Sequence, residues 1–139
     1  MDLSTSRIFV NLPVKDLQRS VAFFTELGFS FNPQFTDENA TCMIVNDSIY
    51  VMLLVEDYFR SFTKKELPDA STPGVIIALS LDNREKVDQM VAKALEIGAG
   101  HYSDVTDHGF MYTWGFHDLD GHIWELFYMD PAAVQQDQA

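Results

Sequence analysis

Asp47-Ser48-Ile49-Tyr50-Val51-Met52-Leu53-Leu54-Val55-Glu56-Asp57 returns, 73 positions later and without a gap, as Asp120-Gly121-His122-Ile123-Trp124-Glu125-Leu126-Phe127-Tyr128-Met129-Asp130. Both copies read as a polar turn followed by an apolar strand. The repeat predicts a fold built twice. Inside the strand it sets a carboxylate against an apolar residue: where the first copy has Met52, the second has Glu125.

Working outward, the segments before each copy follow one order. Ile8, Val10, Leu12 and Val14 alternate as a strand, with Pro13 near its end. Asp16 is placed to cap a helix whose apolar stripe is Leu17, Val21, Phe24 and Leu27, widened by Phe23 and closed by Gly28. Segments 30–35, 41–45 and 49–55 read as strands, with Asn46-Asp47 as the hairpin turn between the last two. The second half begins with an apolar strand over 75–81 and a capping box from Asp82 to Glu85. A helix striped by Val87, Met90, Val91, Ala94 and Ile97 follows, closed by Gly98, then strands over 101–105, 110–117 and 122–128. Residues 57–65 read as a short helix, 67–74 as a linker rich in turn residues, and 131–139 as a frayed tail. The expected organisation is one domain over 1–139, with module 1 at about 7–56, a linker at about 57–73 and module 2 at about 74–130. The fold class is α+β, two βαβββ modules, because one half leaves a sheet face uncovered.

Composition narrows the function. The formal charge is −12, which excludes the basic footprint that nucleic acid requires. No apolar run is long enough for a membrane span, and Met1 to Arg7 lacks the pattern of a leader. A single cysteine, Cys42, is compatible with a reducing compartment, so a cytoplasmic location is the expectation. Aromatic residues make up 13% of the chain, a proportion suited to lining an apolar cavity as well as filling a core.

Two stretches carry a family resemblance. Val14-Lys15-Asp16-Leu17-Gln18-Arg19-Ser20-Val21-Ala22-Phe23-Phe24 with Leu27-Gly28-Phe29, and Asp118-Leu119-Asp120-Gly121-His122-Ile123-Trp124-Glu125-Leu126, resemble the opening and closing motifs of the vicinal oxygen chelate superfamily, which includes glyoxalases, bleomycin resistance proteins and extradiol dioxygenases. The resemblance covers nearly the whole chain. It implies that the paired modules form a curved mixed sheet around a cavity, and that the protein is a homodimer, as many members are. It further implies, for enzymatic members such as lactoylglutathione-lyase-like enzymes, a divalent metal held by His, Gln or Glu from the first and last strands of both modules. Carried onto this sequence, those four positions are Phe9, Met52, Ile76 and Glu125. Only Glu125 is a hard donor, and Phe, Met and Ile have none to offer such an ion. The expectation is therefore no cofactor and no metal site of the usual kind; an unorthodox site joining Glu125 to His101 or His108 is the alternative.

Strand alternation puts Ile123, Glu125 and Phe127 on one face. By the repeat Tyr50 and Met52 share that face, and by the resemblance it lines the cavity, together with Phe9, Asn11, Ile76 and Ala78. Strand 110–117 adds either Met111 and Thr113 or Tyr112 and Trp114, and the second pair is taken as the ligand contacts. Two functions follow. One is capture of a small organic molecule with Glu125 as polar anchor. The other is a glyoxalase-like or dioxygenase-like enzyme with Glu125 as metal ligand or as a general base. A carboxylate tied to Asn11 or to a tyrosine hydroxyl, or simply hydrated, and doing nothing more is the bland reading of the same residue.

Overall fold

The computed structural model describes residues 4–69 and 71–132. The chain divides into two compact modules between Leu67 and Pro68. From residue 133 on, the expected frayed tail lies outside the described residues.

In module 1, β1 (Ile8–Val14) leads to α1 (Leu17–Glu26), β2 (Ser30–Asn32), a 3-10 turn (Pro33–Phe35), β3 (Ala40–Ile44), β4 (Ile49–Val55) and α2 (Glu56–Arg60). The sheet order is β1-β4-β3-β2. The first and last strands pair in parallel, with Asn11 beside Met52 and Phe9 beside Tyr50. Asp16 caps α1 as expected, its side chain accepting from the Arg19 amide at 3.2 Å. The buried face of α1 is Leu17, Ser20, Phe23 and Phe24. The helix is thus turned slightly from the predicted stripe, because two adjacent phenylalanines take the centre and push Val21 to the margin. These rings sit over the sheet face that buries Leu12, Val14, Met43, Val51 and Leu53. The expected strand over 30–35 stops at Asn32, where Pro33 starts the turn and the Asn32 side chain accepts from the Gln34 amide.

In module 2 the order is β5 (Ile76–Ser80), α3 (Arg84–Glu96), β6 (Gly100–His101), β7 (Thr106–Asp107), β8 (Met111–His117) and β9 (Ile123–Met129). The main path of the sheet is β5-β9-β8-β6, and β7 also pairs with β8. Again the first and last strands are parallel neighbours, with Ala78 beside Glu125. The N-cap of α3 is Asn83, accepting from the Lys86 amide at 2.8 Å. The predicted capping box is therefore corrected by one residue; Asp82 instead pairs with Lys86 Nζ at 2.9 Å. Val87, Val91 and Ala94 of α3 are fully buried, and so are Phe116, Trp124 and Leu126 on the sheet. Gly28 and Gly98 follow α1 and α3 with φ of +107° and +116°, the left-handed conformation that ends a helix cheaply only at glycine. Of the expected strand 101–105 only His101 is extended, in β6; residues 102–105 are irregular and β7 starts after them at Thr106.

The connection from β8 to β9 is tied by one buried carboxylate. Asp118 Oδ1 accepts from the amides of Asp120 and His122 at 2.9 and 3.0 Å. Asp118 Oδ2 accepts from Trp124 Nε1 at 2.9 Å. Burial pushes the Asp118 carboxyl above its ordinary range, with the His122 charge, the indole and the two amides pulling the other way.

Candidate functional site: an aromatic-rimmed cavity and a tyrosine-held carboxylate

The sheet face of module 1 opposite α1 lines a cavity of about 570 Å³. Asn11, Met52, Leu54 and Ala40 come from the strands, and Gln34 to Asp37 from the turn that follows β2. Tyr58 and Phe59 of α2, with Phe62 and Thr63 just beyond it, complete the lining. Ala40 and Leu54 are buried, whereas Phe35 and Phe62 are 57% and 68% exposed. The cavity thus has an apolar floor and an open aromatic rim. Tyr58 and Phe62 meet edge to face at 5.1 Å between centroids, a favoured arrangement for two rings.

The rim's polar groups are held by local hydrogen bonds. Thr36 Oγ1 donates to the Asn32 carbonyl at 2.8 Å and lies 2.9 Å from Thr41 Oγ1. Asp37 Oδ1 accepts from the amides of Asn39 and Ala40 at 2.8 and 3.0 Å, an Asx turn that fixes the carboxylate.

Of the sequence-predicted residues in module 1, Asn11 and Met52 line this cavity. Phe9 and Tyr50 share their face and stack on each other at 4.9 Å, outside the lining, and the Tyr50 hydroxyl donates to the Asp47 carbonyl at 2.8 Å. Sequence reasoning missed Phe35, Asp37, Tyr58, Phe59 and Phe62 as lining groups. The available signal for Tyr58, Phe59 and Phe62 is the aromatic content of 57–65 beside its helical pattern.

In module 2 the register places Ala78 and Gly115 on either side of Glu125, with Ile76 beside Ile123. Ile76 and Ala78 are exposed, Glu125 and Phe127 half-buried, and Ile123 buried. Tyr112 and Trp114 are corrected. They pair with Tyr128 and Leu126 and so lie on the opposite face from Glu125. The Tyr112 hydroxyl donates to Asp88 of α3 at 2.5 Å, a contact that pushes the phenol up to about 12. Trp114 Nε1 donates to the Ser103 carbonyl at 3.0 Å. One face of β8 carries Tyr112, Trp114 and Phe116 and the other Met111, Thr113, Gly115 and His117; the pairing with β9 gives the second face to Glu125.

On the Glu125 face, the Tyr102 hydroxyl donates to Glu125 Oε1 at 3.5 Å, the long limit of a hydrogen bond. Gly115 makes that approach possible: a Cβ there would stand 3.3 Å from Tyr102 Cδ2. His117 is half-buried with its ring 5.3 Å from that of Tyr102. His101 is exposed, 3.3 Å from Asp104, and His108 stacks on Phe110. No three His, Cys, Asp or Glu side chains cluster as a metal ion would require among the described residues. The donor set does not fit the divalent metal that the family positions would imply.

Residues 7–46 match the family model of the bleomycin resistance protein-like N-terminal region. No curated protein matches the chain. Among solved structures, a hypothetical protein from S. aureus is 29% identical with a TM-score of 0.77, over 90% of this chain and 95% of that one. A glyoxalase/bleomycin resistance protein/dioxygenase family enzyme from Burkholderia phytofirmans is 14% identical with a TM-score of 0.75, over 87% and 96%. A bleomycin resistance determinant encoded on the transposon Tn5 is 18% identical with a TM-score of 0.63, over 90% and 98%.

Proposed function

We propose that this chain, which belongs to the vicinal oxygen chelate superfamily and has its glyoxalase/bleomycin resistance fold, captures a small organic molecule without using the divalent metal of the family's enzymes. The observation that carries the reading is the module 1 cavity, with its apolar floor and aromatic rim. Its volume falls in the range of small-molecule sites, and concave apolar surface with a few fixed polar groups is what such sites are made of. Chemistry through a divalent ion needs at least three suitable donors. Of the four family positions, Phe9, Met52 and Ile76 supply none, and Glu125 supplies one.

The test uses N-phenyl-1-naphthylamine, a neutral apolar fluorophore. It is expected to bind the full chain with a Kd of order micromolar, and Met52→Trp, which fills the floor, is expected to weaken it at least about tenfold. Equal binding by both proteins would remove the cavity from the reading. Metal analysis of protein purified without chelators bears on the other half: a stoichiometric divalent metal lost in Glu125→Gln would overturn the metal-free reading.

Glu125, on the module 2 sheet and taken apart from the module 1 cavity, is proposed as a polar anchor for a small molecule. Its Oε1 takes only the long bond from Tyr102, which leaves the carboxylate able to accept from an amine or a hydroxyl. Once a natural ligand is in hand, Glu125→Gln should weaken its binding several-fold with the melting temperature unchanged. Undiminished affinity would reduce Glu125 to a partner of Tyr102.

A further inference from the structure

We infer that the preferred ligand of the module 1 cavity is an organic cation carrying an apolar body; the inference rests on the cavity being a binding site. Among the lining residues, Asp37 is the one carboxylate, and there is no Lys, Arg or His. An anionic ligand would therefore meet a like charge and no counter-charge. The rim presents Phe35, Tyr58 and Phe62, all exposed and available to a ligand. Aromatic faces attract a cation through their quadrupole, most strongly a weakly hydrated one such as a quaternary ammonium.

Asp37 is also prepared for the task. Its Oδ1 is engaged by the amides of Asn39 and Ala40, so the carboxylate is oriented before any ligand arrives. Its Oδ2 has no hydrogen bond among the described residues. A cation at the rim would gain from both the rings and this oxygen, while its apolar body covers Met52 and Leu54. The chain's charge of −12 adds a field of the same sign, screened at physiological salt.

The experiment is competition against N-phenyl-1-naphthylamine by a matched set: benzyltrimethylammonium, its neutral isostere neopentylbenzene, and the anion phenylacetate. Benzyltrimethylammonium should compete at least about tenfold better than phenylacetate. Asp37→Asn keeps the Oδ1 acceptor of the Asx turn and removes the charge. It should weaken benzyltrimethylammonium about fivefold and leave neopentylbenzene unchanged; Phe62→Ala should likewise lower the preference for the cation over its isostere. Raising salt should weaken the cation alone. If Asp37→Asn and Phe62→Ala leave the ratio of cation to isostere unchanged, or phenylacetate competes best, the inference is overturned while the cavity stands. If the fluorophore does not bind at all, the cavity reading itself falls and this inference with it.

Discussion

Asp118→Ala is expected to lower the free energy of unfolding by about 3 kcal/mol, read from urea titrations followed by tryptophan fluorescence. The carboxylate accepts three hydrogen bonds at the β8–β9 connection. Its removal leaves the Trp124 indole N–H, on a side chain 1% exposed, without that acceptor. A buried donor stripped of its partner costs about 1–3 kcal/mol, and two backbone amides lose their acceptor as well. A loss below about 1 kcal/mol would show that water replaces the carboxylate and that the connection does not depend on it.

The same residue predicts a pH dependence with a definite sign. Its folded carboxyl is raised chiefly by burial. A raised acid binds its proton more tightly folded than unfolded, so the stability it contributes is fully present below the unfolded value of 3.8 and is lost as pH rises through the folded value. The stability difference between the wild-type protein and Asp118→Asn should therefore shrink from about pH 3 upward and become flat once the carboxyl is ionised. The reverse slope would mean that the three hydrogen bonds outweigh the burial of charge.

Gly115→Ala is expected to cost about 2 kcal/mol, a fall of roughly 5 °C or more in Tm. The added Cβ would stand 2.5 Å from the Trp124 carbonyl oxygen and 3.4 Å from Glu125 Cα. Both are backbone atoms of the paired strand, so relief requires β8 and β9 to part. Gly100→Ala is the control: its Cβ meets His117 Cβ at an ordinary 3.5 Å, and a change below about 1 kcal/mol is expected. Equal melting temperatures for the two variants would refute the steric account. The fold is the reason this glycine sits opposite Glu125, since any larger residue would lift the Tyr102 ring off the strand.

The architecture was legible because period and punctuation agree. The eleven-residue repeat, Asp16 before α1, and the glycines after α1 and α3 each specify a local structure that the whole fold also needs. What escaped was set at a distance. The phase of β8 shows in which aromatic face meets α3: Tyr112, Trp114 and Phe116 alternate on that face, whose Tyr112 bonds Asp88, and Thr113 falls on the other. Tyr102 reaches Glu125 across a strand, a relation that no spacing encodes. The cavity rim escaped for a third reason. Asp37 and Phe62 stand in a turn and a short extension where no periodicity operates, and they line one cavity because α2 lies beside β1.

The parallel pairing of the first and last strands in each module also governs how the chain comes to be folded. Among the described residues β1 pairs only with β4, and β5 only with β9. During synthesis the first strand of each half must wait, apolar and unpaired, until the final strand of that half has left the ribosome. Neither sheet can then grow as a simple run of hairpins; its completion depends on a contact between segments far apart in the chain, the kind that slows folding. While it waits, Ile8-Phe9-Val10 is an open apolar edge on a nascent chain, a natural substrate for a chaperone.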